Sequence, residues 1–288
     1  MNKLFQTITL CSVIILSACS KESMNAQTPT PTTPTQPTTP VVYSFESTPI
    51  WSDEFDYQGL PDTKKWNYDV GGSGWGNNEL QYYTKENLKN ARVENGKLII
   101  EAVKEKFDKN SYTSARLVTK GKGDFLYGRF EIKAKLPKGI GTWPAIWMLA
   151  SEQNYSDKYW PDNGEIDIME HVGYDPGRVH ASIHTKSFNH VIGTQVTANT
   201  MVDDFDMAFH EYRLDWTPKK IEMYIDSKLY FTFENTGKGF AEFPFDKKFH
   251  LLLNLAVGGN WGGVKGVDES IFPQRMEVDY VRIYALKQ

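Results

Sequence analysis

Between Asn163 and Val172 the chain reads Asn-Gly-Glu-Ile-Asp-Ile-Met-Glu-His-Val, which sets three acids, Glu165, Asp167 and Glu170, in one short run. Side chains of a β-strand alternate between faces, so Glu165 and Asp167 share one face while Ile166 and Ile168 take the other. Glu170 falls out of phase with that alternation. One extra residue at Ile168-Met169, a β-bulge, returns it to the face of Glu165, and bulges are over-represented beside active sites. Like charges this close raise at least one pKa, a cost that folding alone does not require. Such a pair suits acid-base and nucleophilic work on a glycosidic bond. At ~3.3 Å per step the Glu165 and Glu170 backbones lie roughly 13 Å apart. Inward-leaning side chains can then bring the carboxyls to ~5–5.5 Å, the spacing of retaining rather than inverting glycosidases. A solvated acidic face would use the same residue types, and so would a calcium site, although calcium ligands usually come from a loop.

The elements that must position these acids are strands. Arg129-Phe130-Glu131-Ile132-Lys133-Ala134-Lys135-Leu136 alternates apolar and charged residues strictly, the pattern of a strand with one wet face. Similar runs cover Lys97–Val103, Glu211–Trp216, Ile221–Ile225, Leu229–Phe233, His250–Val257 and Met276–Tyr284, with Asp226-Ser227-Lys228 as a hairpin turn. Helical stripes and internal repeats are absent from the pattern. Many strands with turns between them predict an all-β fold, one antiparallel β-sandwich of jelly-roll type. His180 and His184 have a spacing that would converge on a helix, but Val179–His184 alternates like a strand and separates the rings, which argues against a catalytic metal.

The formal net charge of -4 lacks the basic excess of a nucleic-acid partner. Both cysteines, Cys11 and Cys19, fall in the first twenty residues, so no disulfide framework is expected in the folded part. Residues 1–18 read as a secretory signal peptide, too short to span a bilayer. Leu16-Ser17-Ala18-Cys19 resembles a bacterial lipobox, with Cys19 as the lipidated first residue of the mature chain. Residues 19–41 then form an anchor and linker, whose Thr/Pro-rich part, 28–40, is a stiff spacer able to hold a domain ~40 Å from a membrane. Residues 42–288 form the catalytic domain. The expected location is the outer membrane, on its surface or periplasmic side. Ser20-Lys21-Glu22 also resembles the surface-export signals of some Bacteroidetes lipoproteins. The expected partners are the lipid bilayer and a polysaccharide, with no nucleic acid and no second subunit.

The carboxylate run resembles glycoside hydrolase family 16, whose signature is a Glu-x-Asp-x-x-Glu strand, and specifically its laminarinase-like branch, which has the bulge that the lichenase-like branch lacks. Four further segments agree in order: Trp51–Phe55, Gly76–Tyr83, Gly141–Leu149 and Asn254–Trp261. The resemblance covers roughly residues 49–286. It implies a concanavalin-like sandwich with a concave cleft, Glu165 as nucleophile, Glu170 as acid and then base, and Asp167 hydrogen-bonded between them. It also implies Asn78, Arg116, Trp143, Trp147, His184 and Trp261 as substrate-binding residues, with Trp160 and Glu79 added by their proximity to these motifs. No catalytic cofactor is implied. A structural Ca2+ away from the cleft is, held by Glu54 and Gly96 through backbone oxygens and by Asp279 through its side chain. The resemblance points to endo-hydrolysis of β-1,3-glucan. Mixed-linkage β-glucan or an algal galactan is the alternative substrate, and a surface glycan-binding protein without catalysis is the alternative function. Retention of both glutamates argues against the binder.

Overall fold

The computed structural model describes residues 41–287, so Cys19, the leader and the Thr/Pro spacer lie outside the described residues. From Val42 onward the chain forms one compact unit. It is built from strands and two short 3-10 turns, arranged as a ten-stranded and an eight-stranded sheet. The jelly-roll sandwich expected from the strand pattern is the fold observed.

Alternation explains the layering. In Gly128–Lys135, Phe130, Ile132 and Ala134 are buried, whereas Arg129, Glu131, Lys133 and Lys135 are only half-buried on the outer face. Strands of both sheets contribute to one hydrophobic core, with Ile166, Ile168, Met148, Leu251 and Leu253 from the eight-stranded sheet and Ile132, Leu214 and Val278 from the other. Each large aliphatic chain buried this way contributes about 1.5–3 kcal/mol. The carboxylate strand is thus anchored by its apolar face, and its other face is free for chemistry.

Within the eight-stranded sheet the carboxylate strand, Glu165–His171, lies between the tryptophan strand, Thr142–Ala150, and the histidine strand, Arg178–His184. Beyond the tryptophan strand run Phe249–Val257, Arg116–Val118 and Asn67–Asp69. The expected runs all form strands with shifted ends. Lys97–Phe107 is longer than anticipated because its distal half pairs with Asn110–Ser114. At the hairpin, Asp226 and Ser227 both take positive φ, 47° and 68°, as a type I′ turn requires, and Lys228 already pairs with Ile225. The turn therefore has two central residues, and Lys228 opens the next strand.

Candidate active site

The bulge is visible from both neighbours of the carboxylate strand. Toward the tryptophan strand, Met169 pairs with Ile146 and Asp167 with Trp147, skipping Ile168. Toward the histidine strand, Asp167 pairs with Ser182 and Glu170 with His180, so two residues oppose one. The skip returns Glu170 to the face of Glu165 and Asp167 while Ile166, Ile168 and Met169 stay buried. Just before the strand, Gly164 has a φ of 88°, and a Cβ there would come within 2.8 Å of Phe245 and Pro244. Only glycine lets the chain enter the strand at this point.

Each glutamate is held by one indole. Trp160 Nε1 donates to Glu165 Oε2 at 2.9 Å, and Trp143 Nε1 donates to Glu170 Oε1 at 3.0 Å. His184 Nε2 lies 3.3 Å from Asp167 Oδ2 and 3.8 Å from Glu165 Oε1. Among the described residues no lysine or arginine pairs with any of the three acids. Burial lifts the pKa of Glu165 well above the usual carboxylate range, and the Asp167 charge adds to this. Asp167 moves the same way through burial and then the charge of Glu170, and Glu170 is raised chiefly by burial. Three charges cannot coexist here. Each glutamate has an indole N–H that favours its anion, Trp160 on Glu165 and Trp143 on Glu170, and the His184 ring lies beside the group, so the three carboxyls share fewer than three charges between them.

The remaining predicted residues line the same face. Trp143 packs edge-on against Trp261 with centroids 5.4 Å apart, and Trp261 in turn meets the His180 ring at 5.0 Å. Asn78 donates to Asn260 at 2.8 Å, tying the Gly76–Tyr83 segment to the loop bearing Trp261. Arg116 pairs with Asp69 at 2.9 Å and lies over two indoles, Trp147 at 4.6 Å and Trp75 at 4.9 Å. Trp75 was not singled out from the sequence, nor was the polar chain beneath Trp147. There Trp147 Nε1 donates to Asn254 Oδ1 at 2.7 Å, Asn254 Nδ2 donates to the Tyr83 hydroxyl at 3.0 Å, and that hydroxyl donates to Glu79 Oε2 at 3.3 Å. Glu79 and Tyr83 both fall within one of the matched segments, yet the Asn254–Tyr83 contact spans 171 positions and leaves no local signal.

Among the described residues two places have donors suited to a cation. Glu165, Asp167 and His184 offer ligand atoms within 4.8 Å of one another, and the buried Asp167 Oδ2 makes no hydrogen bond. This group could hold a metal, and it is a different set from the His180/His184 pair weighed on sequence. The second place is the predicted calcium position. Trp51–Asp53 ends opposite Val281, and Lys97–Phe107 pairs with Val278 through Leu98 on the same edge of Gln274–Tyr284. Glu54 and Gly96 therefore converge on the bulge containing Asp279. Carbonyl oxygens with one carboxylate are a calcium-like donor set. The Asp279 carboxylate lies 3.0 Å from Lys133 Nζ, an internal cation that competes for it, and the Glu54 side chain is taken by Arg282 at 2.7 Å. That leaves the Glu54 backbone oxygen as its available donor.

A pair of desolvated glutamates on an antiparallel sandwich, walled by indoles, is the equipment of a carboxylate glycosidase. Comparison with known proteins narrows the class. Residues 75–282 match the pattern of Glycosyl hydrolases family 16. The chain is 56% identical over 240 residues to a beta-glucanase of Rhodothermus marinus, covering 82% of this chain and 84% of that one. The X-ray structure of the laminarinase from Rhodothermus marinus superposes with a TM-score of 0.83 at 52% identity, over 86% of this chain and all (100%) of that one. The structure of SCLam, a non-specific endo-β-1,3(4)-glucanase, superposes with a TM-score of 0.78 at 47% identity, over 85% of this chain and 92% of that one. The chain belongs to glycoside hydrolase family 16, in its laminarinase-like branch.

Proposed function

We propose that the protein hydrolyses β-1,3-glucan internally by double displacement, with Glu165 as nucleophile and Glu170 as acid and base. The observation that carries this reading is the bulge, which sets both glutamates on one open face, each under its own indole N–H. In the first step the Glu165 carboxylate bonds to the anomeric carbon, the glycosidic C–O bond breaks, and the Glu170 proton passes to the departing oxygen. In the second, Glu170 takes a proton from water, the water oxygen bonds to the same carbon, and Glu165 leaves as carboxylate. Two inversions give retention. Asp167 and His184 regulate how charge is shared beside Glu165. The Trp143–Trp261 pair offers faces for pyranose stacking, while Arg116 and Asn78 bond to sugar hydroxyls.

Similarity to a non-specific endo-β-1,3(4)-glucanase favours mixed-linkage β-glucan as a second substrate. A panel of laminarin, mixed-linkage β-glucan, cellulose and agarose, with proton NMR of the first products, tests the reading. Laminarin should shorten rapidly with retained anomeric configuration. Inverted product would sink the double displacement, and cleavage of agarose alone would sink the substrate. Cys19 is proposed to carry lipid and hold the domain at the outer membrane. Fatty-acid labelling that is equal in wild type and Cys19→Ala would remove the anchor.

A further inference from the structure

A bulge leaves a backbone carbonyl outside the ladder, and a buried carbonyl without a partner is costly. Ile168 has no opposite residue toward the tryptophan strand and sits in the two-against-one step toward the histidine strand. Its carbonyl accepts instead from the Tyr230 hydroxyl at 2.9 Å. Tyr230 belongs to Lys228–Glu234, the edge strand of the ten-stranded sheet. That strand has a bulge of its own: Phe231 pairs with Met223 and Leu229 with Tyr224, so Tyr230 is its extra residue. Alternation along a regular strand would send residue 230 away from the core, whereas the bulge turns its phenol across to the other sheet. Two irregularities, one per sheet, thus meet in one hydrogen bond directly behind the acids.

We infer that Tyr230 is a positioning residue for the hydrolysis, locking the Ile168 bulge and so fixing the phase and depth at which Glu170 meets the substrate. The inference rests on the acid role proposed for Glu170. Without the hydroxyl, the Ile168 carbonyl must find water or slide back toward the ladder, and either change moves Glu170. Burial, and then the neighbouring Glu170 and Asp167 carboxyls, raise the Tyr230 pKa, so its hydroxyl stays protonated and remains a donor. It cannot touch the glucan itself, because it reaches the carboxylate strand from the side of the core. Glu170 is faced by Glu165 and Asp167 on its own strand, by His180 and His184 on the next, and by Glu79 from the Gly76–Tyr83 segment. Loosening the bulge admits water among them and relieves the burial that raises Glu170.

Tyr230→Phe, which keeps the ring and removes only the donor, tests this. On laminarin kcat should fall about tenfold while KM changes less than twofold, and the alkaline limb of kcat/KM should move to lower pH, since an acid that is better solvated loses its proton earlier. Ile132→Val, a core substitution of the ten-stranded sheet outside both bulges, should lower the melting temperature and leave kcat and the pH profile alone. If Tyr230→Phe does not fold, Tyr230→Met, equally without a donor, is read the same way. A Tyr230→Phe enzyme that melts earlier but matches wild-type kcat and pH profile overturns the inference and leaves the functional reading standing. Loss of kcat with an unmoved alkaline limb overturns the link to Glu170.

Discussion

The ion-paired acids of the ten-stranded sheet and the three acids of the carboxylate strand are held in opposite ways. On the ten-stranded sheet Asp215 takes both Nε and a terminal nitrogen of Arg129, at 2.7 and 2.8 Å, and Glu277 pairs with Lys135 at 3.1 Å. Glu222 and Glu101 are likewise matched, to Lys220 at 2.7 Å and Arg92 at 2.8 Å. On the eight-stranded sheet Glu165, Asp167 and Glu170 share one imidazole and two indole N–H groups. Paired acids stabilise a sheet modestly or are neutral to it. The clustered and desolvated ones oppose folding, and their persistence marks a surface kept for chemistry.

The largest effect that could break this contrast is on rate. Glu165→Gln or Glu170→Gln should lose at least ~10²–10⁴-fold in laminarin turnover, while still binding the glucan and melting higher than wild type. About 1 kcal/mol of relieved repulsion corresponds to ~2–4 °C for a domain of this size. A lower melting temperature in both variants would make the acids part of the scaffold. In the other sheet the expectation reverses. Arg129→Ala should cost about 1.5–3 kcal/mol, because it leaves buried Asp215 short of its main partner, and kcat should not change. Urea unfolding of the two glutamine variants beside Arg129→Ala reads the contrast directly.

A smaller effect should appear on titration. Burial raises the folded-state pKa of all three acids above the unfolded value of about 4, so the native state binds protons more tightly. Their favourable contribution is complete below the unfolded value and is lost as pH rises through the raised one. The melting temperature of wild type should therefore fall from mildly acidic to neutral pH more steeply than that of Glu165→Gln, and parallel curves would refute the assignment. The smallest effect concerns the junction of Glu54, Gly96 and Asp279. Added Ca2+ should raise the melting temperature slightly without changing turnover, because a ligand of the native state shifts unfolding by mass action. Asp279→Asn should abolish the response, and an unchanged response would place the ion elsewhere.

The periodicity of the carboxylate strand was enough to read its bulge, because an acid that falls in phase with buried isoleucines regains the open face only through an inserted residue. The strands and the Asp226-Ser227 hairpin were legible for the same local reason. Partners joined only in space were not. Nearness to the motifs was enough to name Trp160, but its bond to Glu165 comes from a loop whose path no period records. The chain from Trp147 through Asn254 and Tyr83 to Glu79 crosses three separate segments. Tyr230 reads as an ordinary aromatic in an alternating strand until the register around it is known. Spacing reports which face a residue takes, and contact across faces depends on how the sheets are stacked.

The two indole bonds to the glutamates also give the protein an internal optical probe. Indole emission responds to charge near its ring nitrogen, and here that nitrogen donates to the two glutamates proposed to carry the reaction. Trp143 and Trp160 sit on different glutamates, so replacing either by phenylalanine and subtracting the spectra would leave a signal belonging to a single carboxyl. The ionisation of Glu170 and of Glu165 could then be followed separately, in the resting protein and with no sugar bound.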